Sequence, residues 1–159
     1  MIESNLKVRV MHLVHQLALG GMENGVVNLV NHHDFTYFDP MICALTGGGA
    51  LTQRVNRTKV KLIELNKSSG NDLRIPIQLW RIFKQEKPHI VHTHAWGTLC
   101  EGVIGAKLAG VPVIVHGEHG TIECKKRNVW VQKGIWRIID QVLSVSDVLR
   151  KELAAEIGF

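Results

Sequence analysis

Six short apolar runs punctuate the chain: "VRVMHLV" (8–14), "FDPMICAL" (38–45), "VKLIEL" (60–65), "HIVHTH" (89–94), "VPVIVH" (111–116) and "QVLSV" (141–145). Each has the length of a strand and is rich in β-branched or large apolar side chains. Between most of them the apolar positions recur every three or four residues. Met22, Val26, Leu29 and Val30 predict a helix after the first run. Leu73, Ile77, Trp80 and Phe83 predict another, with Asp72 as its cap, Pro76 in its first turn and Lys87-Pro88 just past its end. Residues 98–109 are small and apolar, suited to close packing on a sheet. Val131, Ile135 and Ile138 mark a further helix, and Val148 to Ile157 a last one.

Strands that alternate with helices predict an α/β fold: a doubly wound, mostly parallel, Rossmann-like sheet with helices on both faces. In the common strand order 3-2-1-4-5-6, the first and fourth strands meet at the switch point, where ligands bind outside the carboxyl ends of the strands. Three loops then converge, spanning His15 to Met22, His94 to Gly97 and His116 to Glu123. There is no internal repeat, low-complexity tract or linker.

The 159 residues make one domain with room for a sizeable core. With 45% hydrophobic and 21% charged residues, the composition is that of a folded chain. A net charge of +5 suits anionic small molecules or an anionic membrane surface. There is no aromatic-and-basic stripe to hold single strands, so no nucleic acid is expected. Cys43, Cys100 and Cys124 are scattered and odd in number, which reads as reduced thiols in a cytoplasmic protein. The N-terminal residues do not read as a signal peptide, and no run approaches the length of a membrane span. The Asn56-Arg57-Thr58 glycosylation triplet carries no weight in that setting. Lys125, Lys126, Arg127, Lys133 and Arg137 form either a solvated helix face or a peripheral contact to anionic lipid.

Gly20-Gly21 lies between the first strand and its helix. Bare backbone N–H groups at a helix start favour phosphate. The alternative is a tight turn, with Glu23 as a first-turn carboxylate. The pattern is not the dinucleotide fingerprint, because position 22 is Met, and no Gly-Lys-Ser/Thr follows to make a P-loop. A Cβ at position 21 is expected to penalise any positive φ of the turn and to keep a phosphate from its donors. A second cluster comes from "HTHAWGT" and "HGEHGT". His94 is expected in the cleft and His92 one layer deeper, as a satisfied core histidine. His116, Glu118 and His119 are expected at or after the end of the fifth strand, able to meet a sugar hydroxyl or a phosphate oxygen. Ligand type alone would also admit zinc, and with it a metal-dependent hydrolase, although no H-E-x-x-H is present. A non-enzymatic phosphosugar-binding module is a third reading.

"GGMENGVVNLVN", "KPHIVHTHAWGTLCEGVIGAKLAGVPVIVHGEHGT" and "DQVLSVSDVLRKEL" together resemble the N-terminal domain of family-4 retaining glycosyltransferases, which have the two-domain GT-B architecture. The "GGMENG" and "HGEHG" segments look closest to the subgroup associated with exopolysaccharide and exosortase gene clusters. The resemblance implies transfer of a sugar from a nucleotide-sugar donor to a hydroxyl acceptor, lipid-linked acceptors included, with the anomeric configuration retained. It implies no metal and no other cofactor. It assigns the donor diphosphate to Gly20 and Gly21, and the transferred sugar to His119, with His116 as the alternative. The acceptor-side cleft is then formed around His15, Glu23, His94 and Glu118. The family's paired glutamates, eight positions apart in a second, donor-binding domain, do not occur here. Residues 1–159 are therefore expected to be the single acceptor-side domain, inactive alone, with an exposed half-cleft prone to self-association.

Overall fold

The computed structural model describes residues 6–68, 70, 72–120 and 126–157. Six strands form one sheet: β1 (Val8–Val14), β2 (Phe38–Ala44), β3 (Lys61–Glu64), β4 (Ile90–His94), β5 (Val113–Glu118) and β6 (Gln141–Ser144). All pairings are parallel and the order is β3-β2-β1-β4-β5-β6, as the alternating pattern predicts. The helices are α1 (Gly21–Asn31), α2 (Arg74–Glu86), α3 (Trp96–Ala109), α4 (Lys126–Trp136) and α5 (Asp147–Ile157), with a 3₁₀ turn at Ala50–Arg54.

Strand alternation divides the core in two. Met11, Leu13 and Val91 face α2, α3, α4 and α5, and pack with Leu79, Phe83, Leu99, Val103 and Trp136. Val14 and Ile42 face the other way, against Val26, Val27 and Val30 of α1 and Leu51 of the 3₁₀ turn. The first face is covered by four helices and the second by α1 and the 3₁₀ turn.

Several expected helix faces are rotated. In α1 the buried stripe is Val26, Val27 and Val30, while Leu29 is 48% exposed. In α2 it is Ile75, Leu79 and Phe83, at i, i+4 and i+8. Leu73, Ile77 and Trp80 face outward, because two apolar stripes compete on that helix and only one meets α3 and the sheet. Asp72 is not the cap residue. Leu73 takes that position, and Asp72, one residue earlier, accepts the backbone N–H of Arg74 at 3.0 Å and binds its guanidinium. Among the described side chains of α4, Gln132 and Trp136 are buried and Val131 is exposed, as is Ile138 two residues past the helix end. The fifth strand starts two residues later than its apolar run. Val111 instead donates its N–H to Ala106 O and closes α3, and β5 continues through Gly117 to Glu118.

Candidate functional site

β1 ends at Val14, and the chain turns through His15 to the start of α1. Gly20 is the cap residue of α1 in an extended conformation, and no side chain caps the helix. Its carbonyl accepts the Asn24 N–H at 3.0 Å and the Asn24 side-chain amide at 2.9 Å. The first N–H groups of α1 have no carbonyl within the helix to bind. Gly21 is exposed, its φ is not positive, and a Cβ built on it meets nothing within 4 Å. Neither conformation nor packing therefore requires glycine at 21, and there is no positive φ at that position for a Cβ to penalise. At Gly20 an added Cβ would meet the Glu23 carboxylate, which folds back over the helix start.

A groove of about 510 Å³ opens beside this helix, lined by Gly21, Met22, Val26, His92, His94 and His119 among others. The structure therefore brings Gly21, His94 and His119 to one space at the carboxyl edge of the sheet. His15 is exposed at the end of β1, where its ring faces Gly97.

The floor of the groove is made of imidazoles. His12 and His92 are direct partners in the β1–β4 register, so both rings project on the α1 side, and His94 follows two residues on. His12 Nδ1 and His94 Nε2 lie 3.1 Å apart, and His94 Nδ1 and His119 Nε2 lie 3.0 Å apart. Burial, reinforced by the neighbouring imidazoles, lowers His12 to about 3 and His92 to about 4, and pushes His94 down as well. Burial also lowers His119, against the pull of Glu118 and Glu23. Near neutral pH these rings are uncharged. A neutral imidazole has one N–H, so His94 donates to one neighbour and accepts from the other, and the chain His12–His94–His119 runs in one direction throughout. The outer nitrogens are less well served. His12 Nε2 and His92 Nε2 are buried without a hydrogen-bond partner. His92 is therefore not the satisfied core histidine expected from the sequence.

Gly117 makes room for this crowding. A Cβ there would lie 2.8 Å from His119 Nε2 and 3.1 Å from His92 Nε2. Beside it, Ala95 has φ 57° and ψ 170°, a region almost reserved for glycine, and donates its N–H to Gly117 O at 2.8 Å. Backbone strain thus sits directly after His94.

His116 and Glu118 occupy the opposite face. His116 pairs with Thr93 in register and is fully buried. Thr93 Oγ1 lies 2.8 Å from its Nδ1, and Glu118 Oε2 lies 3.3 Å from its Nε2. Gln132 donates its side-chain N–H to the same Glu118 oxygen at 3.2 Å. These side chains have no surface toward the groove. The alternative assignment of the sugar contact to His116 and the placement of Glu118 in the cleft are corrected accordingly: β5 runs two residues further than its apolar pattern, which buries both. Conversely, His12, Ala95 and Gly117 belong to the site and were not apparent from the sequence. The loop residues 121–125, with Cys124 and Lys125, lie outside the described residues, as do the side chains of Lys126 and Arg127.

Comparison with known proteins identifies the fold and the family. Over 63 residues, 39% of this chain, it is 46% identical to the UDP-Gal:alpha-D-GlcNAc-diphosphoundecaprenol alpha-1,3-galactosyltransferase of Escherichia coli, covering 16% of that protein. The lipopolysaccharide outer core galactosyltransferase WaaB superposes with a TM-score of 0.69 at 14% identity, over 93% of this chain and 42% of that one. The UDP-GlcNAc 2-epimerase of Neisseria meningitidis superposes with a TM-score of 0.65 at 16% identity, over 93% and 43% of the two chains. The chain thus spans less than half the length of the structures it matches. The family description "Glycosyltransferase Family 4" matches residues 19–159, and the chain belongs to that family.

Proposed function

We propose that this chain is the acceptor-side half of a retaining glycosyltransferase. The complete enzyme transfers a sugar from a nucleotide-sugar to a hydroxyl acceptor in polysaccharide or glycolipid synthesis. The observation that carries this reading is the groove, where the uncapped start of α1 and the half-buried His119 face one space at the switch point. The N–H groups at Gly20 and Gly21 meet the donor diphosphate, helped by the positive end of the helix. His119, uncharged and held by His94, hydrogen-bonds the transferred sugar. Glu23 lies at the same helix start, so a diphosphate approaching there displaces its carboxylate.

The nucleotide-sugar is a substrate, and no resident cofactor takes part. The E. coli relative is named for a UDP-sugar donor and a lipid diphosphate acceptor, which supports a lipid-linked acceptor here. With such an acceptor, we read the enzyme as cytoplasmic and peripheral at the inner face of the membrane. No helix among the described residues is long and apolar enough to cross a membrane. Donor-side groups come from a further domain, and without it the groove neither excludes water nor completes the field around the leaving diphosphate. Exposed Leu29 and Val145, both at the groove, provide a surface for self-association of the isolated domain.

The test is a transfer assay on residues 1–159 alone and on the same domain joined to a family-4 donor domain. Turnover only in the joined form supports the proposal. Robust turnover by the 159 residues alone, or none in a folded two-domain enzyme, overturns it.

A further inference from the structure

His12, His92 and His94 each offer one ring nitrogen, and the three atoms lie within 4.8 Å of one another. We infer that this trio is a binding site for a divalent cation of the zinc class, sharing His94 with the expected acceptor-side cleft, and that the bound cation inhibits the transfer proposed above.

Zinc bound at 2.0–2.1 Å by nitrogen in a tetrahedron separates its ligand atoms by about 3.3 Å. The His12 Nδ1 to His94 Nε2 edge, 3.1 Å, already has that length. The His92 ring lies 4.0 Å from that of His94, tilted by 33°, and its rotation is the adjustment a third ligand at zinc distance requires. His12 is 2% exposed and offers the cation the Nδ1 that otherwise meets His94, while Nε2 of His92 is buried without a partner. Ordinary core histidines are hydrogen-bonded, so this packing leaves donor capacity for a ligand. The donor set contains nitrogen only. That suits zinc, cobalt, nickel or copper, and disfavours magnesium and calcium, which take oxygen. His92 and His94 line the groove, which provides the entry path and an open fourth position.

The remaining nitrogen of His94 supports the same arrangement. Metal-bound histidines usually hydrogen-bond through their other nitrogen. With Nε2 on the cation, the His94 proton is fixed at Nδ1 and is donated to His119 Nε2, 3.0 Å away. His119 then accepts at Nε2 and must carry its proton on Nδ1, so it can donate to a sugar but no longer accept from one. Inhibition follows without the cation touching substrate. This last step rests on the proposed role of His119, whereas binding itself does not.

Cobalt(II) alone, titrated into the metal-free, reduced 159-residue chain, reads the site directly through its visible absorption. The expected result is saturation at one equivalent, with tetrahedral ligand-field bands, no thiolate charge-transfer band, and release by one equivalent of zinc. His92→Gln, at a half-buried position, and His94→Gln are expected to weaken binding at least tenfold. His32→Gln, at the exposed end of α1, is expected to leave it unchanged. A folded wild-type chain that takes up no stoichiometric cobalt overturns the inference. So does binding that is equally tight in folded His92→Gln, or a spectrum dominated by thiolate. Binding without inhibition of the two-domain enzyme keeps the cation site and removes the His119 reading.

Discussion

The two faces of the sheet treat their histidines in opposite ways. Under α3 and α4, His116 is enclosed by Thr93 and Glu118, and Glu118 by Gln132, so each polar group has a partner. On the α1 side, His12, His92 and His94 crowd together with two orphaned nitrogens, beside a strained Ala95 and an open groove. Satisfied polar burial stabilises a fold, while unsatisfied burial persists only where something else maintains it. Burial alone therefore does not separate a structural histidine from a functional one; hydrogen-bond completeness does.

The broadest way to break this contrast is pH. His12 and His92 have folded values near 3 and 4, against about 6.5 when unfolded. The unfolded chain binds the protons first, so stability is full above about pH 6.5 and falls as the pH drops toward the folded values. The loss approaches 1.4 kcal/mol per pH unit for each histidine. Denaturant titrations at pH 7.5 and pH 5 are expected to show it, and folded His92→Gln should have a shallower slope. A slope unaffected by that change would move the effect off the α1 face.

Next in size is a paired substitution. His119→Ala in the two-domain enzyme is expected to lower kcat/KM about a hundredfold with little change in Tm. His116→Ala is expected to do the reverse: it costs about 1–3 kcal/mol of stability by leaving Thr93 and Glu118 without their partner, with activity per folded molecule nearly intact. Equal effects on turnover would erase the distinction between the faces.

Gly21→Val sharpens the same boundary. Open space and an ordinary φ predict a Tm within a few degrees of the parent. Losing one charge-assisted hydrogen bond to diphosphate costs roughly 1.5–3 kcal/mol, or at least tenfold in kcat/KM. Unchanged turnover per folded enzyme would end the phosphate reading. The smallest effect is expected from Ala95→Gly, which relieves a backbone cost of about 1 kcal/mol and should raise Tm slightly. A drop in Tm would show that Ala95 is not strained.

The sheet was legible because six apolar runs and the helices between them admit few parallel topologies, and the observed order is the common one. The helix faces were less so: α2 carries apolar residues at both Leu73, Ile77, Trp80 and Ile75, Leu79, Phe83, and periodicity cannot say which stripe meets the sheet. Gly20, Gly21, His94 and His119 could be placed at the carboxyl edge from topology. His12 could not, because it sits inside "VRVMHLV" and reads as core until the β1–β4 register places it opposite His92. His116 and Glu118 were drawn to the cleft because Gly117 reads as a strand end, whereas it continues the strand and accommodates two imidazoles.

The contact between His12 and His94 joins residues 82 positions apart, and it forms across the central strand pair. No local segment can rehearse it, and closing so long a loop carries an entropic cost before any contact compensates. A nascent chain that has reached only the end of α2 has β1, β2 and β3, and with them His12, but neither His94 nor His119. The cluster therefore exists only once the two halves of the sheet have joined. Its ring resonances would be late reporters of folding and early ones of unfolding, marking the step at which a string of βα units becomes a binding surface.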